Sequence, residues 1–269
     1  VPLMGLGEQR ATGLLRGTHA WNLVGPAATA SPVALDARIH DLWTSPHGVI
    51  KAALRNKATM QMEGETAVFA FTEPGRFSAT LRVNAQGLVE RVDSVLPNPV
   101  LGDTQVSTVY SDYRDHGGVK FPARIRQNQG GFPVLDLQVT EVQVNQPLAA
   151  EVPATVAAAT ERVVSEKAAD GVWFLAGGSH NSVLIEMRDH LVLVESPLYD
   201  GRAEAVLAAL RRLAPGKELR YVINSHHHFD HAGGLRAAAA TGATLVTSEQ
   251  AWPWFERALA NPNRISPDA

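Results

Sequence analysis

The chain has 269 residues, of which 45% are hydrophobic and 19% are charged, a balance typical of folded globular domains. The formal net charge of −3, without a basic excess, argues against nucleic-acid binding. The chain has no cysteine, which excludes disulfides and thiolate ligands and leaves His, Asp and Glu to bind a transition metal. No stretch approaches the roughly 18 apolar residues of a membrane helix, so no transmembrane segment is expected.

The first residue is Val rather than Met, so we expect the chain to begin after a removed segment or at a trimmed end. A cleaved export signal would account for this start and would place the protein in the periplasm or outside the cell. Other processing accounts for it equally well, so a cytoplasmic location stays open.

Residues 1–155 are predicted to form an α+β N-terminal domain that is rich in β-strands and has short helices. Residues 1–30, rich in Gly, Ala and Thr and without a clear period, predict an arm or a short helix plus a loop. SPVALDARIHDLWTS and PHGVIKAALRN predict two short helices. From about Ala58, six segments alternate polar and apolar residues between turns, which predicts an antiparallel sheet with one buried face. In the last segment, Leu135 and Leu137 lie on the apolar side of the alternation.

A Pro- and Ala-rich stretch, residues 145–163, predicts a linker and a domain boundary near residue 155. The strands GVWFLAG, SVLIEM and LVLVES follow it, and then the helix GRAEAVLAALRRLAPG. The strand LRYVIN, the short helix HAGGLRAAAATG, the strand ATLVTSE and a last helix that starts in QAWPWFERALA complete the pattern. This alternation of strands and helices predicts parallel strands with crossover helices over residues 156–269.

The stretch NSHHHFDHAGG, residues 224–234, holds four histidines within six positions. If the chain stays extended through His226 and His228, these two side chains point to the same side, and Asp230 and His231 fall where the chain turns into a helix. Imidazole and carboxylate are the usual non-thiolate ligands of zinc. We therefore predict that His226, His228, Asp230 and His231 bind metal and that His227 does not. The alternative, a weak adventitious site or an expression tag, fits an internal segment with an interleaved aspartate less well.

The pattern His226-x-His228-x-Asp230-His231, after a strand and before AGGL, resembles the signature of the metallo-β-lactamase fold superfamily. The resemblance covers about residues 163–269. It implies that residues 156–269 form the N-terminal half of an αβ/βα sandwich, with the C-terminal half apparently absent. The string SHHHFDHAGGLRAAAATGATLVT resembles a bacterial metallo-hydrolase branch whose front domain is similar to the half-barrel of periplasmic lipoprotein carriers. YSDYRDHGGVKFPARIRQNQGG carries this second resemblance.

The resemblance implies a zinc-dependent hydrolase in which His226 and His228 bind one zinc ion, and Asp230 and His231 bind a second. Manganese or iron suits the same ligands. A metal-bound hydroxide would attack an ester, lactone, amide or phosphodiester bond of a small-molecule substrate. Asp230 would be catalytic, orienting the hydroxide and shuttling a proton to the leaving group. The alternative function is that of a catalytically silent metal- or lipid-binding protein similar to a carrier.

The implied absence of half the sandwich has two consequences. Two protein ligands hold zinc weakly, so we expect the 269-residue fragment to be inactive or weakly active. A sheet face would also stay exposed, and we expect the missing half or a second copy of the chain to cover it.

Two further side chains near strand ends can each be interpreted in two ways. Glu195 in VLVESP either braces the metal loop or is a solvated strand end. We interpret His180 in GGSHNS as a polar turn residue, with a position over the metal site as the alternative.

Overall fold

The computed structural model describes residues 11–148 and 150–267, which divide into two compact units. The first unit contains the described residues up to Leu96 and those of Thr104–Ala159. The second unit contains Pro97–Asp103 and the described residues from Thr160 onward. The predicted boundary near residue 155 falls in a short helix, Ala154–Ala157, which belongs to the first unit.

Three antiparallel strands begin the first unit: Ala11–Arg16 (β1), His19–Val24 (β2) and Ala27–Ala30 (β3). The expectation of an arm or a helix is therefore wrong from Ala11 onward, and residues 1–10 lie outside the described residues. Each of the two turns begins with a glycine at positive φ, the conformation that two-residue hairpin turns require. The small Gly, Ala and Thr side chains of these strands hide their alternation in the sequence.

The two predicted helices of the first unit are confirmed. A 3-10 turn, Pro32–Ala34, leads into Leu35–Thr44 (α1), and Pro46–Arg55 (α2) follows directly. The Ser45 hydroxyl accepts a hydrogen bond from the Gly48 amide at 3.2 Å and so caps α2, while a proline occupies the first helical position, where an amide would have no partner.

The six alternating segments form the predicted antiparallel sheet together with an edge strand, Thr59–Glu63, that was not predicted, and each strand lies beside the next one in the chain. The strands are Thr59–Glu63 (β4), Thr66–Glu73 (β5), Phe77–Val83 (β6), Val89–Asn98 (β7), Gly102–Asp115 (β8), Lys120–Gln129 (β9) and Phe132–Gln138 (β10). Val49 and Ala52 of α2 pack in one core with Phe77, Leu81 and Val92 of the sheet. The edge strand β10 departs from the prediction of a buried face, because it has a neighbour on one side only and every residue in it is exposed.

The second unit is built on a six-stranded sheet whose strands also follow the chain order. The strands are Val164–Ala169 (β11), Val172–Ala176 (β12), Ser182–Glu186 (β13), Leu191–Val194 (β14), Leu219–Ile223 (β15) and Thr244–Val246 (β16). The first three pairings are antiparallel, whereas β14, β15 and β16 pair in parallel as predicted. Strand β11 was not predicted, because its sequence VSEKAA is mostly polar and is exposed at the sheet edge.

Four helices accompany this sheet, numbered after the short helix Ala154–Ala157 (α3) of the first unit. They are Asp200–Leu213 (α4), Phe229–Ala232 (α5), Leu235–Ala240 (α6) and Trp252–Ala260 (α7). Two glycines divide the single helix predicted after the histidines into α5 and α6. None of the helices in the described residues combines the length and hydropathy that crossing a membrane requires.

The two faces of the second sheet differ in their surroundings. One face carries Leu175, Leu184, Leu193 and Val222, which are at most 1% exposed and pack with residues of the helices. On the other face, the pairing of the strands places one apolar residue from each of five strands side by side: Phe174, Val183, Val194, Ile223 and Val246. We call this set the apolar row. Three of its members are exposed, with Phe174 and Ile223 at 37% and Val246 at 41%.

The segment Pro97–Asp103 supplies part of the core of the second unit although it lies far from Thr160 in the chain. Val100 is 8% exposed within that core, and its carbonyl oxygen accepts a hydrogen bond of 3.4 Å from the buried Arg236 guanidinium. The Asn261 amide group also donates to the Leu101 carbonyl oxygen.

Candidate metal centre

The four predicted ligands lie where a central strand passes into a helix. Strand β15 ends at Ile223, His228 has extended backbone angles (φ −63°, ψ 144°), and α5 begins at Phe229. Asp230 and His231 therefore lie in the first turn of α5, immediately after His228. This is the strand-to-helix junction that the sequence predicts, at the carboxyl end of a parallel strand, where open α/β sheets bind their ligands.

Two glycines let the histidine loop approach the end of β14 closely. A Cβ atom on Gly233 would lie 2.0 Å from the Leu198 carbonyl oxygen, and one on Gly234 would lie 2.7 Å from Ala203 Cβ. The absence of side chains there allows the Gly234 amide to donate to the Ser196 carbonyl oxygen at 2.8 Å. The AGG sequence after His231 therefore positions the loop rather than extending the helix.

Three imidazole rings meet in this loop. The His226 ring centroid is 4.8 Å from that of His228 and 4.2 Å from that of His231. The His227 ring instead lies 4.6 Å from the indole of Trp254, next to α7. The structure thus brings the rings of His226, His228 and His231 together. His227, the residue predicted not to bind metal, packs against Trp254 instead.

Asp230 lies next to a residue that sequence reasoning assigned to a polar turn. Nε2 of His180, in the hairpin between β12 and β13, is 3.1 Å from Oδ2 of Asp230. Potential ligand atoms of His180, Asp230 and His231 all lie within 4.8 Å of one another. The interpretation of His180 as a plain turn residue is therefore wrong. A histidine in a Gly-rich turn between two buried strands was the signal available in the sequence.

Glu195 holds the start of the loop. Its carboxylate accepts hydrogen bonds from the Ser225 amide at 2.9 Å and from Asn224 Nδ2 at 3.0 Å, and Oε2 lies 3.6 Å from His231 Nδ1. Of the two interpretations left open by the sequence, this geometry favours the bracing role. Glu195 adopts a φ of 64°, which costs a residue with a side chain about 1–3 kcal/mol. The hydrogen bonds to the loop offset that strain.

The surroundings of His226 favour its neutral form. Partial desolvation lowers the pKa of His226, and the neighbouring His231 and His228 rings lower it further because they disfavour a second positive charge. A neutral ring keeps a nitrogen lone pair for a metal ion. Three imidazole side chains and one carboxylate form a donor set that suits zinc, manganese or iron, so the residues present fit a divalent cation.

Comparison with known families identifies the segment that carries this loop. Residues 175–262 match the family model described as the Metallo-beta-lactamase superfamily. The resemblance to the metallo-beta-lactamase superfamily is confirmed. We call residues 175–262 the metallo-beta-lactamase segment, which runs from the end of β12 to just beyond α7 and includes the whole histidine loop.

Solved metallo-beta-lactamase structures are also similar to this chain. FIM-1 from Pseudomonas aeruginosa, in a mono-zinc form, is 19% identical with a TM-score of 0.32, over 37% of this chain and 48% of that one. An enzyme from Pontibacter korlensis is 19% identical with a TM-score of 0.33, over 38% and 51%. A HARLDQ-motif mutant from Cronobacter sakazakii is 30% identical with a TM-score of 0.30, over 33% and 36%. The chain thus spans about half the length of these structures or less. A search of curated proteins gives no match.

Proposed function

We propose that the chain carries the catalytic metal centre of a metal-dependent hydrolase. His226, His228, Asp230 and His231 would hold the metal, with zinc as the expected ion and manganese or iron as ions that suit the same donors. The observation that carries the proposal is that Asp230 and His231 offer ligand atoms within 4.8 Å of one another and of His180, while the His226 ring lies 4.2 Å from the His231 ring. The superfamily match of the metallo-beta-lactamase segment supports it.

A bound divalent cation would polarise the scissile bond and activate a water molecule as the nucleophile. Asp230 would orient that water and accept its proton at a carboxylate oxygen, then pass the proton to the leaving group. The His180 imidazole lies beside this carboxylate, with Nε2 3.1 Å from Asp230 Oδ2. Glu195 would keep the loop in position through its bonds to Ser225 and Asn224.

The type of bond attacked is proposed only from the reactivity of the bonds that a metal-activated water molecule can hydrolyse. Esters, lactones, amides and phosphodiesters all present a carbonyl or phosphoryl centre that a nucleophilic water can attack. The net charge of −3 does not favour a polyanionic substrate, so we propose a small molecule. The alternative function, a silent metal- or lipid-binding carrier, gains no support from the superfamily match. Export to the periplasm or beyond the cell stays a prediction.

We further propose that another polypeptide covers the apolar row of the second sheet, either a C-terminal half of the sandwich or a second copy of the chain. Phe174, Ile223 and Val246 are each more than a third exposed, and together with Val183 and Val194 they run across five neighbouring strands. Contiguous exposed apolar surface of this kind marks an interaction site. The covering polypeptide would supply the remaining metal ligands, so turnover by the 269-residue chain alone would be weak or absent.

Metal content and turnover of matched variants test the proposal. The metal-free 269-residue chain would be reconstituted with Zn²⁺, Mn²⁺ or Fe²⁺, and bound metal would be counted. Hydrolysis of ester, lactone, amide and phosphodiester probes would be measured for this chain alone and together with the polypeptide proposed to cover the apolar row. Asp230→Asn should lower turnover by about 10²- to 10⁴-fold with the fold retained, whereas His227→Ala should leave it unchanged.

Two results would count against these proposals. A chain that binds none of the three metals would overturn the metal-dependent function. Strong turnover with two bound zinc ions and no other polypeptide would overturn the requirement for a covering partner.

A further inference from the structure

We propose that His180 is a fifth ligand of the metal centre, and that with Asp230 and His231 it forms a three-ligand cation site within this chain. The inference rests on the proposed metal-dependent function. It adds a residue that lies outside the His226-x-His228-x-Asp230-His231 signature and about 50 positions before it in the chain.

The distances between the donor atoms suit a single ion. His180 Nε2 and Asp230 Oδ2 are 3.1 Å apart, and the potential ligand atoms of His180, Asp230 and His231 lie within 4.8 Å of one another. Zinc bonds to nitrogen and oxygen are about 2.0–2.2 Å long, so in a near-tetrahedral site two ligands of one ion lie about 3.3–3.6 Å apart. The 3.1 Å pair is already at that separation, and rotamer shifts that bring the farthest atoms together by roughly 1–1.5 Å would place all three around one cation.

The charges around Asp230 also suit a cation. Among the described residues, no Lys or Arg lies within 4.0 Å of the Asp230 carboxylate, and His180 is the ion-pair partner found at that distance. One carboxylate and two imidazoles, without a fixed positive charge between them, form a donor set for a divalent metal. His180 and Asp230 are 38% and 29% exposed at their side chains, so an ion can reach them from solvent.

The hairpin that carries His180 is fixed by its surroundings. Gly177 adopts a φ of 111°, and a Cβ atom there would lie 2.1 Å from the Arg162 carbonyl oxygen. Arg202, which is fully buried, donates to that same oxygen at 2.7 Å and to the Ala176 carbonyl oxygen at 3.0 Å. A ligand on a braced loop loses less conformational freedom when it binds metal, and this raises affinity.

With His180 as a third ligand, this chain could bind one cation without a partner polypeptide. Asp230 and His231 alone would bind a cation weakly, because three or four protein ligands are usual for zinc. With His180 the chain reaches three ligands for one ion, whereas His226 and His228 would still need a further ligand for a second ion. We therefore expect the first equivalent of metal to bind at His180, Asp230 and His231.

Titration of the metal-free 269-residue chain with Co²⁺ tests the proposal, with visible absorption and a competing chelator reporting coordination and affinity. His180→Ala should weaken binding of the first equivalent by about tenfold or more and change the absorption bands. His180→Gln keeps the size of the side chain and a donor toward Asp230 but has no imidazole nitrogen, so it should weaken binding similarly. X-ray absorption should count one imidazole fewer per cobalt in both variants. His227→Ala should bind within about twofold of the wild type, since its ring packs on Trp254.

The outcomes separate this inference from the function on which it rests. Circular dichroism would first establish that each variant is folded. Unchanged affinity and absorption bands in His180→Ala would overturn the inference and leave the metal-dependent function standing. Wild-type affinity in His180→Gln would show that His180 orients Asp230 by a hydrogen bond and would overturn ligation. A wild-type chain that binds no Co²⁺ would overturn the metal centre itself.

Discussion

The carboxylate of Glu195 and the backbone amide of Ser225 are joined by a hydrogen bond of 2.9 Å, although the two residues are 30 positions apart in the chain. This bond ties the end of β14 to the first residues of the histidine loop. The same carboxylate accepts from Asn224 Nδ2, so one side chain holds two consecutive loop residues.

Glu195→Ala should therefore loosen the loop and weaken metal binding. Both hydrogen bonds are lost, and nothing then offsets the positive φ at this position. We expect Zn²⁺ affinity to fall by about 10- to 100-fold, as measured by competition with a chelator. Glu204→Ala, at an exposed site on α4, is the matched control and should bind zinc normally. Equal zinc affinities in the two variants would remove Glu195 from its bracing role.

Gly233→Ala should disrupt the packing of the loop for steric reasons alone. Gly233 has a φ of −65°, which alanine adopts freely, but the added Cβ would lie 2.0 Å from the Leu198 carbonyl oxygen. We expect a loss of about 1–3 kcal/mol in the free energy of unfolding and weaker metal binding. Gly201→Ala is the control, because its new Cβ would meet only the flexible Tyr199 ring, at 3.2 Å. Urea unfolding of both variants checks the prediction, and a stable Gly233→Ala chain with normal zinc affinity would contradict it.

Much of the metal loop could be predicted from the sequence because its signals are local. The strand LRYVIN, the interleaved Asp230 and the glycines after His231 lie within about 16 residues, and each acts on its immediate neighbours. The placement of the loop between a strand and a helix follows directly from them. The prediction that His227 points away from its neighbours needed only the alternation of side chains along an extended segment, and its ring does lie on Trp254.

The parts that were missed depend on contacts between distant segments. His180 reaches Asp230 because a hairpin docks over the loop, and neither residue alone encodes that docking. Strand β11 is paired only through its neighbour β12, and its polar sequence carries no burial signal. The exposed Leu135 on β10 shows the reverse case, in which clear alternation does not bury a side chain at a sheet edge.

Glu73 makes the stability of the first unit depend on pH. Burial alone would raise the pKa of this carboxyl group, but hydrogen bonds from Arg55 and Asn56 outweigh it and hold the pKa below its usual value. Stability from a lowered carboxyl pKa is present above the unfolded pKa of about 4.3 and is lost as the pH falls through the folded value.

Glu73→Gln should therefore lower the free energy of unfolding by about 1.5–3 kcal/mol at pH 7, since hydrogen bonds to a charged group are replaced by weaker ones. The difference from wild type should shrink as the pH falls below about 4.3. Urea unfolding at pH 7, 5, 4 and 3 measures it, with the exposed Glu65→Gln as the control. A difference that stays constant across this range would refute the role of the ionised carboxylate.

Ile223→Thr should reduce self-association of the 269-residue chain. Ile223 lies between Val194 and Val246 in the apolar row and is 37% exposed, and threonine keeps a β-branched side chain while removing apolar area. Sedimentation velocity at several concentrations should show a larger monomer fraction than for wild type. Leu54→Thr changes a more exposed leucine, at 77%, on α2 of the first unit and should leave association unchanged. A wild-type chain that is already fully monomeric would show that the row does not drive association of copies.

The contribution of Pro97–Asp103 to the second unit affects how the protein can be divided. A polypeptide that starts at Thr160 would lack Val100 and the backbone acceptors that satisfy Arg236 and Asn261. The buried Arg236 guanidinium would lose the Val100 carbonyl oxygen and keep the acceptors at Ala258 and Asn261. The second unit is thus discontinuous in the chain, and limited proteolysis between Ala159 and Thr160 should not release it as a stable fragment.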